Sequence, residues 1–407
     1  MFRIIFFVCF FLCLNVNALS QNRIFAQKTI DTLASPFFSG RGYINNGDLL
    51  AAQFINESYK TFGLRTFKKD DFFYPFTFPV NTFPKACSVK IDGKPLIAGL
   101  DYIINPGCPS IKKSFKLKTH QTINYAKHTR KIALVLDTSY KATALENEKS
   151  AKIELKVNLQ KKLTWSVSTR QEKYASIDIL KTAFPLNAKK IRVNITTSLV
   201  EHNANNVLGY IEGTEIKDTF IVLTAHYDHL GMMGKTIFPG ANDNASGVAM
   251  MLDMANYFSK NPCKYSIAFI AFAGEEAGLI GSKHYTDNPW DELPLQKIKF
   301  LINLDLMGSG EKGMAVVNAT IFPDYFTKLQ EANGLIDKKY LPAFKSRGKA
   351  ANSDHYWFVE RGVKGFFFYL MGNYTHYHDI NDAPKNMILG DYYSKSFLLI
   401  RDFILLI

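Results

Sequence analysis

Acidic residues and histidines recur in the C-terminal half of this sequence, each time close to the end of an apolar run. The five strongest candidates are His226, Asp243, one of the adjacent pair Glu275 and Glu276, Asp305 and His378. Any one of them alone has an ordinary explanation, such as a hydrogen-bonded core histidine or an acidic residue at a helix start. Several carboxylates in one crevice, however, are costly to bury unless cations neutralise them. The combination therefore predicts a site for divalent cations.

The donor types narrow the choice of metal. Imidazoles mixed with carboxylates favour zinc, with cobalt or manganese as substitutes, because magnesium and calcium prefer shells made only of oxygen. Two ions about 3.5 to 4 Å apart, joined by a shared carboxylate, hold one water and polarise the carbonyl under attack. We therefore expect two zinc ions and metal-assisted hydrolysis.

Two acidic residues beside the candidate ligands suggest further roles. Of the adjacent pair Glu275 and Glu276, one is expected to bind metal, while the other is the candidate general base, which takes a proton from the attacking water and delivers it to the leaving amine. Asp228, two residues after His226, is expected to hold the second imidazole nitrogen and to fix its tautomer. Three further polar residues are expected at the rim of the site or behind the ligands: His229, His376 and Asp379.

The elements that position these residues are predicted from the apolar runs. Five runs are typical of strands buried on both faces, and they comprise residues 220–224, 267–271, 300–304, 314–317 and 366–370. Helical segments separate several of them, most clearly at 245–258. This alternation predicts an α/β domain with a mainly parallel, doubly covered sheet. Such sheets bind ligands at the carboxyl ends of their strands, where the candidate residues stand.

The 407 residues exceed what one core usually organises, so we expect two domains. Residues 22–65 have the apolar spacing of helices, whereas residues 72–200 are rich in Thr, Val, Ile and turn signals and predict a mostly β domain. The predicted organisation is a signal peptide at 1–20, an N-terminal part of the catalytic domain at 21–75, a β-rich insert at 76–199 and the catalytic domain at 200–407.

The N-terminus has the pattern of an export signal. Arg3 precedes an apolar run that ends at Leu14 and is too short to span a bilayer. We therefore expect a periplasmic or extracellular protein without stable membrane insertion. Disulfides are stable in such compartments. Cys87 and Cys108 are a candidate pair, and the alternative is that these two and Cys263 are ordinary thiols.

The basic charge is concentrated in the predicted insert. Residues 111–190 contain 18 lysines and arginines but 6 acidic residues, which accounts for nearly all of the net charge of +13. A basic segment invites a nucleic-acid or membrane-surface interpretation. Here the lysines alternate with apolar residues as in a strand, and no recognition motif is present. We therefore expect a solvated face and no nucleic-acid partner.

Six segments resemble, in order, the motifs of the zinc peptidases of family M28. They are AHYDH at 225–229, GANDNASG at 240–247, GEEAGLIGS at 274–282, NLDLMG at 303–308, SDH at 353–355 and YHDIND at 377–382. The resemblance implies a phosphorylase/hydrolase-like zinc exopeptidase fold and an aminopeptidase-like protein of the bacterial secreted type. The insert stands where many members of the family carry a protease-associated domain.

The resemblance also implies a ligand set. One zinc would be held by His226, Asp243 and Asp305, and the other by Asp243, Glu276 and His378, with Asp243 as the bridge. Glu275 would be the general base, and Tyr377 would help to stabilise the oxyanion. Asp379 stands where the family usually has Thr, a departure that bears on substrate preference.

The leading function is removal of N-terminal residues from peptide substrates. A carboxypeptidase of the same family would need basic residues for the free carboxylate of the substrate, for which Arg347 and Lys349 are candidates. A glutaminyl-cyclase-like acyltransferase would keep one zinc, and a non-catalytic binding ectodomain would have lost ligands. The full ligand set favours the hydrolase. The preferred residue at the cleaved position and the oligomeric state are left open.

Overall fold

A computed structural model describes residues 22–68, 71–119, 132–136, 153–334 and 340–407. The predicted signal peptide and much of the basic segment lie outside these ranges. The strands are β1 (Phe73–Thr82), β2 (Ser88–Ile91), β3 (Lys94–Pro95), β4 (Tyr102–Ile104), β5 (Ile111–Thr119), β6 (Ile132–Leu136), β7 (Ile153–Gln160), β8 (Ala175–Leu180), β9 (Lys190–Ile195), β10 (Ser198–Ile211), β11 (Ile216–His226), β12 (Gly231–Met233), β13 (Thr236–Phe238), β14 (Tyr265–Phe272), β15 (Ile298–Leu304), β16 (Met314–Val317), β17 (Phe344–Ser346) and β18 (Gly365–Leu370). The α-helices are α1 (Arg23–Leu33), α2 (Gly47–Phe62), α3 (Gly247–Lys260), α4 (Ile280–Asp287), α5 (Pro323–Gly334), α6 (His355–Glu360) and α7 (Asp391–Leu406).

The larger sheet has eight strands in the order β1-β10-β14-β11-β15-β18-β16-β17. The four central strands, from β14 to β18, are parallel to one another. Antiparallel pairings join β10 to β14 and β1 to β10 on one side, and β16 to β18 on the other. The predicted mixed α/β sheet with a parallel centre is confirmed, and each of the five predicted strands lies within one of these elements.

Both faces of this sheet are covered, which explains the continuous apolar runs. In β11, Ile221 and Leu223 point into the core formed with α1, α2, α3 and α7. The alternate residues Phe220 and Val222 point into the opposite core, which includes side chains from α4 and α6. Full burial of such side chains contributes about 1.5–3 kcal/mol each. The parallel strands are therefore fixed in register from both sides.

A second sheet also has eight strands, in the order β3-β2-β9-β5-β6-β7-β8-β4, and is called the smaller sheet here. It has its own core, which also includes Met233 and Phe238 from the hairpin β12–β13 and Leu230 just before that hairpin. The predicted insert boundary at residue 76 falls within β1, which pairs along its whole length with β10 of the larger sheet. The two sheets are therefore joined by continuous packing.

Three smaller expectations have plain outcomes. Cys87, Cys108 and Cys263 are free thiols, and burial raises the pKa of Cys87 and of Cys108 to about 11. Lys112 and Lys113 of β5 are exposed, as expected for a solvated face. Within the described residues, no helix has the length and apolar character needed to cross a membrane.

Candidate metal centre

The parallel strands bring the candidate ligands to one edge of the larger sheet. His226 is the last residue of β11, and Asp305 follows the end of the neighbouring β15 directly. Glu275 and Glu276 come three and four residues after β14. Since parallel strands end at a common edge, these side chains converge there. Asp243 reaches the same place from the tightly turned segment that precedes α3.

One group of donors surrounds the imidazole of His226. Its Nε2 lies 3.4 Å from Oδ1 of Asp243 and 3.5 Å from Oδ1 of Asp305. A second group surrounds His378, whose Nε2 lies 3.1 Å from Oδ2 of Asp243 and 3.3 Å from Oε2 of Glu276. The structure thus brings all five predicted ligands together, and Asp243 directs one oxygen at each imidazole.

The electrostatics of this cluster suit a cation. Oδ1 of Asp305 is buried without a hydrogen-bond partner among the described residues. Burial disfavours a charged imidazole, but the carboxylates of Glu275 and Asp305 raise the pKa of His226 well above its usual value. Likewise, burial disfavours ionised Asp243, yet hydrogen bonds from both imidazoles hold its pKa well below its usual value. The site strongly favours added positive charge, which a divalent ion supplies.

Asp228 supports the site differently from the prediction. Nδ1 of His226 lies 3.1 Å from the backbone carbonyl oxygen of Asp228. A carbonyl only accepts, so Nδ1 carries the proton and Nε2 faces Asp243 and Asp305. The Asp228 carboxylate, 3.8 Å from Nδ1, is too far for a hydrogen bond. The expected tautomer is therefore set by the main chain, because the strand end turns this carbonyl toward the ring.

The Asp228 carboxylate instead organises the Glu-Glu turn. It accepts hydrogen bonds from the backbone N–H groups of Glu275 (3.2 Å) and Glu276 (3.3 Å). The hydroxyl of Tyr43 donates a third bond of 2.5 Å. Glu275 is directed at His226 and Asp305, with which it forms a cluster of donor atoms within 4.8 Å of one another. Burial raises the pKa of Glu275 well above its usual value.

Asp382 holds the segment that carries Asp243. Its Oδ1 accepts from the backbone N–H of Asn242 at 2.7 Å, and its Oδ2 accepts from that of Asp243 at 3.0 Å. The hydroxyl of Tyr374 donates to Oδ1 at 2.7 Å. Asp382 therefore fixes Asp243 through its backbone.

Arg41 holds the same segment from the opposite side. Its guanidinium is fully buried and donates to the backbone carbonyls of Tyr227 (2.8 Å), Gly240 (2.7 Å) and Asp243 (3.2 Å). Further bonds reach the carbonyl of Pro239 (2.8 Å) and one in α1. Burial lowers the pKa of Arg41 to about 10. The side chain thus ties the end of β11 to the turn before α3.

The smaller domain contacts the site through His378. Nδ1 of His378 lies 2.8 Å from the backbone carbonyl oxygen of Trp165. The backbone N–H of Trp165 in turn donates to the backbone carbonyl of His378 at 3.1 Å. Trp165 follows β7, a strand of the smaller sheet. Tyr377 stacks on the imidazole of His378 with ring centroids 3.8 Å apart. The orientation of His378 therefore depends on both domains.

A cleft of about 180 Å³ is lined by four of the donors, His226, Asp243, Asp305 and His378. Its lining also includes Glu275, Tyr377, Arg347, Phe367 and Tyr369. Lys349, the second basic residue singled out in the sequence, forms an ion pair with Glu360 instead. The structure thus separates two residues that the sequence treats alike.

Residues 206–402 match peptidase family M28. This segment contains the cluster described above and belongs to that family. The chain is 32% identical to aminopeptidase YwaD of Bacillus subtilis over 167 residues, which cover 41% of this chain and 35% of YwaD. The chain thus spans about a third of that relative's length.

Two solved structures share the fold of this M28 protein. BSAP, a zinc aminopeptidase from Bacillus subtilis, has a TM-score of 0.73 at 20% identity, with 95% of each chain covered. A glutaminyl cyclase from Bacteroides thetaiotaomicron has a TM-score of 0.52 at 13% identity, covering 95% of this chain and 98% of the other. At these identities the likeness concerns the fold alone, so the reaction has to be argued from the site.

The sequence analysis did not assign the supporting contacts of several residues at this site. Ser353 donates to Oδ2 of Asp305 at 2.9 Å, and His229, expected at the rim, contacts Oε1 of Glu276 through Nδ1 at 2.7 Å. Arg41 and Trp165 act from parts of the chain far from the motifs. The position of Arg41 after a Ser-Gly pair is only a weak sequence signal of a structural role. The role of Trp165 has no sequence signal, because it acts through its backbone carbonyl. His376 and Asp379, 3.5 Å apart, face each other.

Proposed function

We propose that this protein is an exported two-zinc exopeptidase that removes N-terminal residues from peptides. The observation that carries the proposal is the placement of Asp243, whose two oxygens lie 3.4 Å and 3.1 Å from Nε2 of His226 and His378. A pair of ions needs a carboxylate placed in this way. Membership of family M28 and the likeness to YwaD support the reaction, and the apolar leader supports export.

The donor set fits zinc. One ion would be held by His226, Asp243 and Asp305, and the second by Asp243, Glu276 and His378. Each group combines one imidazole with two carboxylates, which zinc accepts readily. When bound, zinc supplies a Lewis acid that lowers the pKa of water and polarises the peptide carbonyl.

Glu275 is the proposed general base. Water attacks the carbonyl carbon, a C–O bond forms, and the carboxylate of Glu275 accepts the proton that the water loses. Glu275 then gives this proton to the leaving nitrogen as the C–N bond breaks, so the proton count balances. Tyr377 lines the same cleft, and its hydroxyl is proposed to donate to the carbonyl oxygen as negative charge develops there. Asp228 acts through the backbone of the Glu-Glu turn.

Two alternatives differ in what they require of the site. A one-zinc acyltransferase needs one donor group, whereas both groups are present here. A carboxypeptidase needs a cation in the cleft for the terminal carboxylate, and Arg347 lies there. That residue keeps the carboxypeptidase as a second candidate. A binding ectodomain would not need Glu275 beside the donors.

The decisive test combines metal content with end specificity. Purified protein is loaded with zinc, dialysed and analysed for zinc per chain, and then incubated with peptides of one sequence bearing free or acetylated N-termini. We expect two zinc ions per chain and release of the first residue from free N-termini alone. Equal release from both series would refute aminopeptidase action, and one zinc per chain would refute the paired site.

A further inference from the structure

We propose that Arg347 recognises a carboxylate on the terminal residue whose peptide bond is cleaved. This inference rests on the proposed peptidase function and names the substrate class. Arg347 follows β17 directly and lines the same cleft as four of the five donors. The lining of the cleft therefore combines carboxylates of the chain with a guanidinium.

The guanidinium is held in place but remains largely uncommitted. Nη1 donates to the hydroxyl of Tyr369 at 2.8 Å, and the guanidinium carbon lies 5.9 Å from the centroid of the Tyr369 ring. Within the described ranges, no carboxylate oxygen lies within 4.0 Å of the Arg347 side chain. An arginine has five N–H donors in a planar fork that matches a carboxylate. One bond to Tyr369 orients this fork and leaves donors for a ligand.

The backbone at this position is anchored. The N–H of Arg347 donates to the carbonyl of Val316 at 3.0 Å, which continues the pairing of β16 with β17. Tyr369 belongs to β18, which pairs with β16 on its other side. The cation is thus positioned by three strands of the larger sheet, as recognition of a small anionic group requires.

The size of the cleft limits the ligand. A volume of about 180 Å³ is below the roughly 300–1,000 Å³ typical of pockets for drug-sized ligands. A cleft of this size favours a small group such as one terminal residue. Phe367 and Tyr369 form an apolar wall beside that residue, which strengthens a charge-assisted hydrogen bond by excluding water.

Two sources supply such a carboxylate. If the enzyme removes N-terminal residues, the carboxylate is the side chain of an N-terminal Glu or Asp. If it removes C-terminal residues, the carboxylate is the free α-carboxylate of the substrate. The chemistry at Arg347 is the same in both cases, and substrates that differ only in the relevant charge distinguish them.

The test uses the zinc-loaded protein with two substrate series. The first contains glutamyl-, glutaminyl- and leucyl-p-nitroanilide, and the second contains N-acetyl-alanyl-leucine and its C-terminal amide. The variants are Arg347→Met, which keeps the stem and removes the charge, and Lys349→Gln, a charge removal two residues away. Thermal melts of all three proteins show whether each variant is folded.

A carboxylate-binding role predicts a selective loss. The wild type should prefer the glutamyl over the glutaminyl substrate, or the peptide acid over its amide. Arg347→Met should lower kcat/KM for the charged member of that pair roughly 10- to 100-fold, the range of one charge-assisted hydrogen bond, mostly through KM. Its effect on the neutral member should stay within about threefold, and Lys349→Gln should change neither.

Other outcomes overturn the proposal in distinguishable ways. Equal losses for charged and neutral substrates would show that Arg347 supports the site in general and does not read charge. A wild type that hydrolyses leucyl-p-nitroanilide without any preference for a carboxylate would refute the inference and leave the peptidase standing. Failure to hydrolyse any of the five substrates would remove both.

Discussion

Glu275 and Glu276 are adjacent in sequence but have different neighbours. Glu276 lies between His229 and His378, with an oxygen directed at each. Glu275 belongs to the cluster of His226 and Asp305. The two carboxylates thus have separate surroundings, which fits the proposed division into one ligand and one proton acceptor.

Replacing Glu275 by Gln should separate these roles. Glu275→Gln removes the proton acceptor but keeps the size of the side chain, so we expect unchanged zinc content and a fall in kcat of roughly 10²- to 10⁴-fold. Glu276→Gln is the matched control, which should lose zinc as well as activity. Metal analysis and peptide hydrolysis measure both. Full activity in Glu275→Gln would remove this residue from the mechanism.

Asp253 in α3 is a buried carboxylate away from the site. Burial raises its pKa to about 7. Its Oδ1 accepts a long bond of 3.4 Å from the N–H of Asn22, and its Oδ2 has no hydrogen-bond partner among the described side chains and backbone. Tyr393 is a near neighbour, and Lys260 contributes a weak attraction. The folded protein therefore prefers the protonated form of Asp253.

This preference makes stability depend on pH. The folded pKa exceeds the unfolded value of about 3.9, so the folded state binds more protons between these values. The contribution to stability is full below about pH 4 and is lost as the pH rises through about 7. Asp253→Asn should therefore raise the free energy of unfolding by roughly 2–4 kcal/mol at pH 8, where Asp253 is ionised in both states.

Urea denaturation at several pH values measures this effect. The gain of Asp253→Asn over the wild type should shrink as the pH falls toward 5. Asp218→Asn, at an exposed position, is the control and should show a small difference at every pH. A gain that is independent of pH would contradict the assigned cause.

At the scale of elements, the turn before α3 is held by side chains from distant parts of the chain. Asp382 binds the N–H groups of Asn242 and Asp243, while Arg41 binds carbonyls of the same turn. Neither Asp382 nor Arg41 lies among the five donors. They fix the bridging carboxylate by fixing its backbone, and this precision is what closely spaced ions need.

Asp382→Asn tests that role. An amide has one acceptor oxygen where the carboxylate has two, so one of the two backbone N–H groups loses its partner. We expect zinc affinity to fall roughly 10- to 100-fold while the fold persists, as measured by chelator competition and circular dichroism. Tyr374→Phe removes only the hydroxyl bond to Asp382 and should have a smaller effect. Unaltered affinity in Asp382→Asn would show that the turn is held without it.

The sequence predicts the central strands, and the convergence of the five candidate side chains, because both have local signals. A buried strand such as β14 is a continuous apolar run, and a ligand such as Asp305 stands at the end of one. The supporting contacts lack such signals. Arg41 meets Gly240 across 199 positions, and only the folded chain brings them together. The sequence analysis assigned the Asp228 side chain to Nδ1 of His226, whereas the backbone carbonyl of Asp228 is the partner. A backbone carbonyl is present in every residue, so the sequence cannot indicate this contact.

At the scale of the whole molecule, Trp165 links the smaller sheet to the segment that carries His378. Its Nε1 donates to the carbonyl of Ile104 at 2.7 Å, and its ring stacks on Phe238 with centroids 4.5 Å apart. These contacts fix the position of the Trp165 backbone carbonyl, which accepts a hydrogen bond from Nδ1 of His378. The smaller domain therefore contributes directly to the geometry of a proposed ligand.

Trp165→Ala should weaken the contact between the smaller sheet and His378. Loss of the buried ring costs roughly 3–5 kcal/mol of stability, and the freed segment no longer orients His378. We expect one zinc to bind more weakly than the other, as seen in a two-step chelator titration. The control is Trp290→Ala, in the core between the larger sheet and helices α4 and α6. It should destabilise the protein by a similar amount without altering zinc binding. Parallel effects in the two variants would mean that stability alone explains the loss.

The paired bonds between Trp165 and His378 restrict how such a protein can be rebuilt. A smaller domain transplanted from another enzyme would have to present a single carbonyl oxygen within hydrogen-bond distance of an imidazole that belongs to its host. We therefore expect such an exchange to succeed when the loop after β7 that carries Trp165 is kept from the original protein.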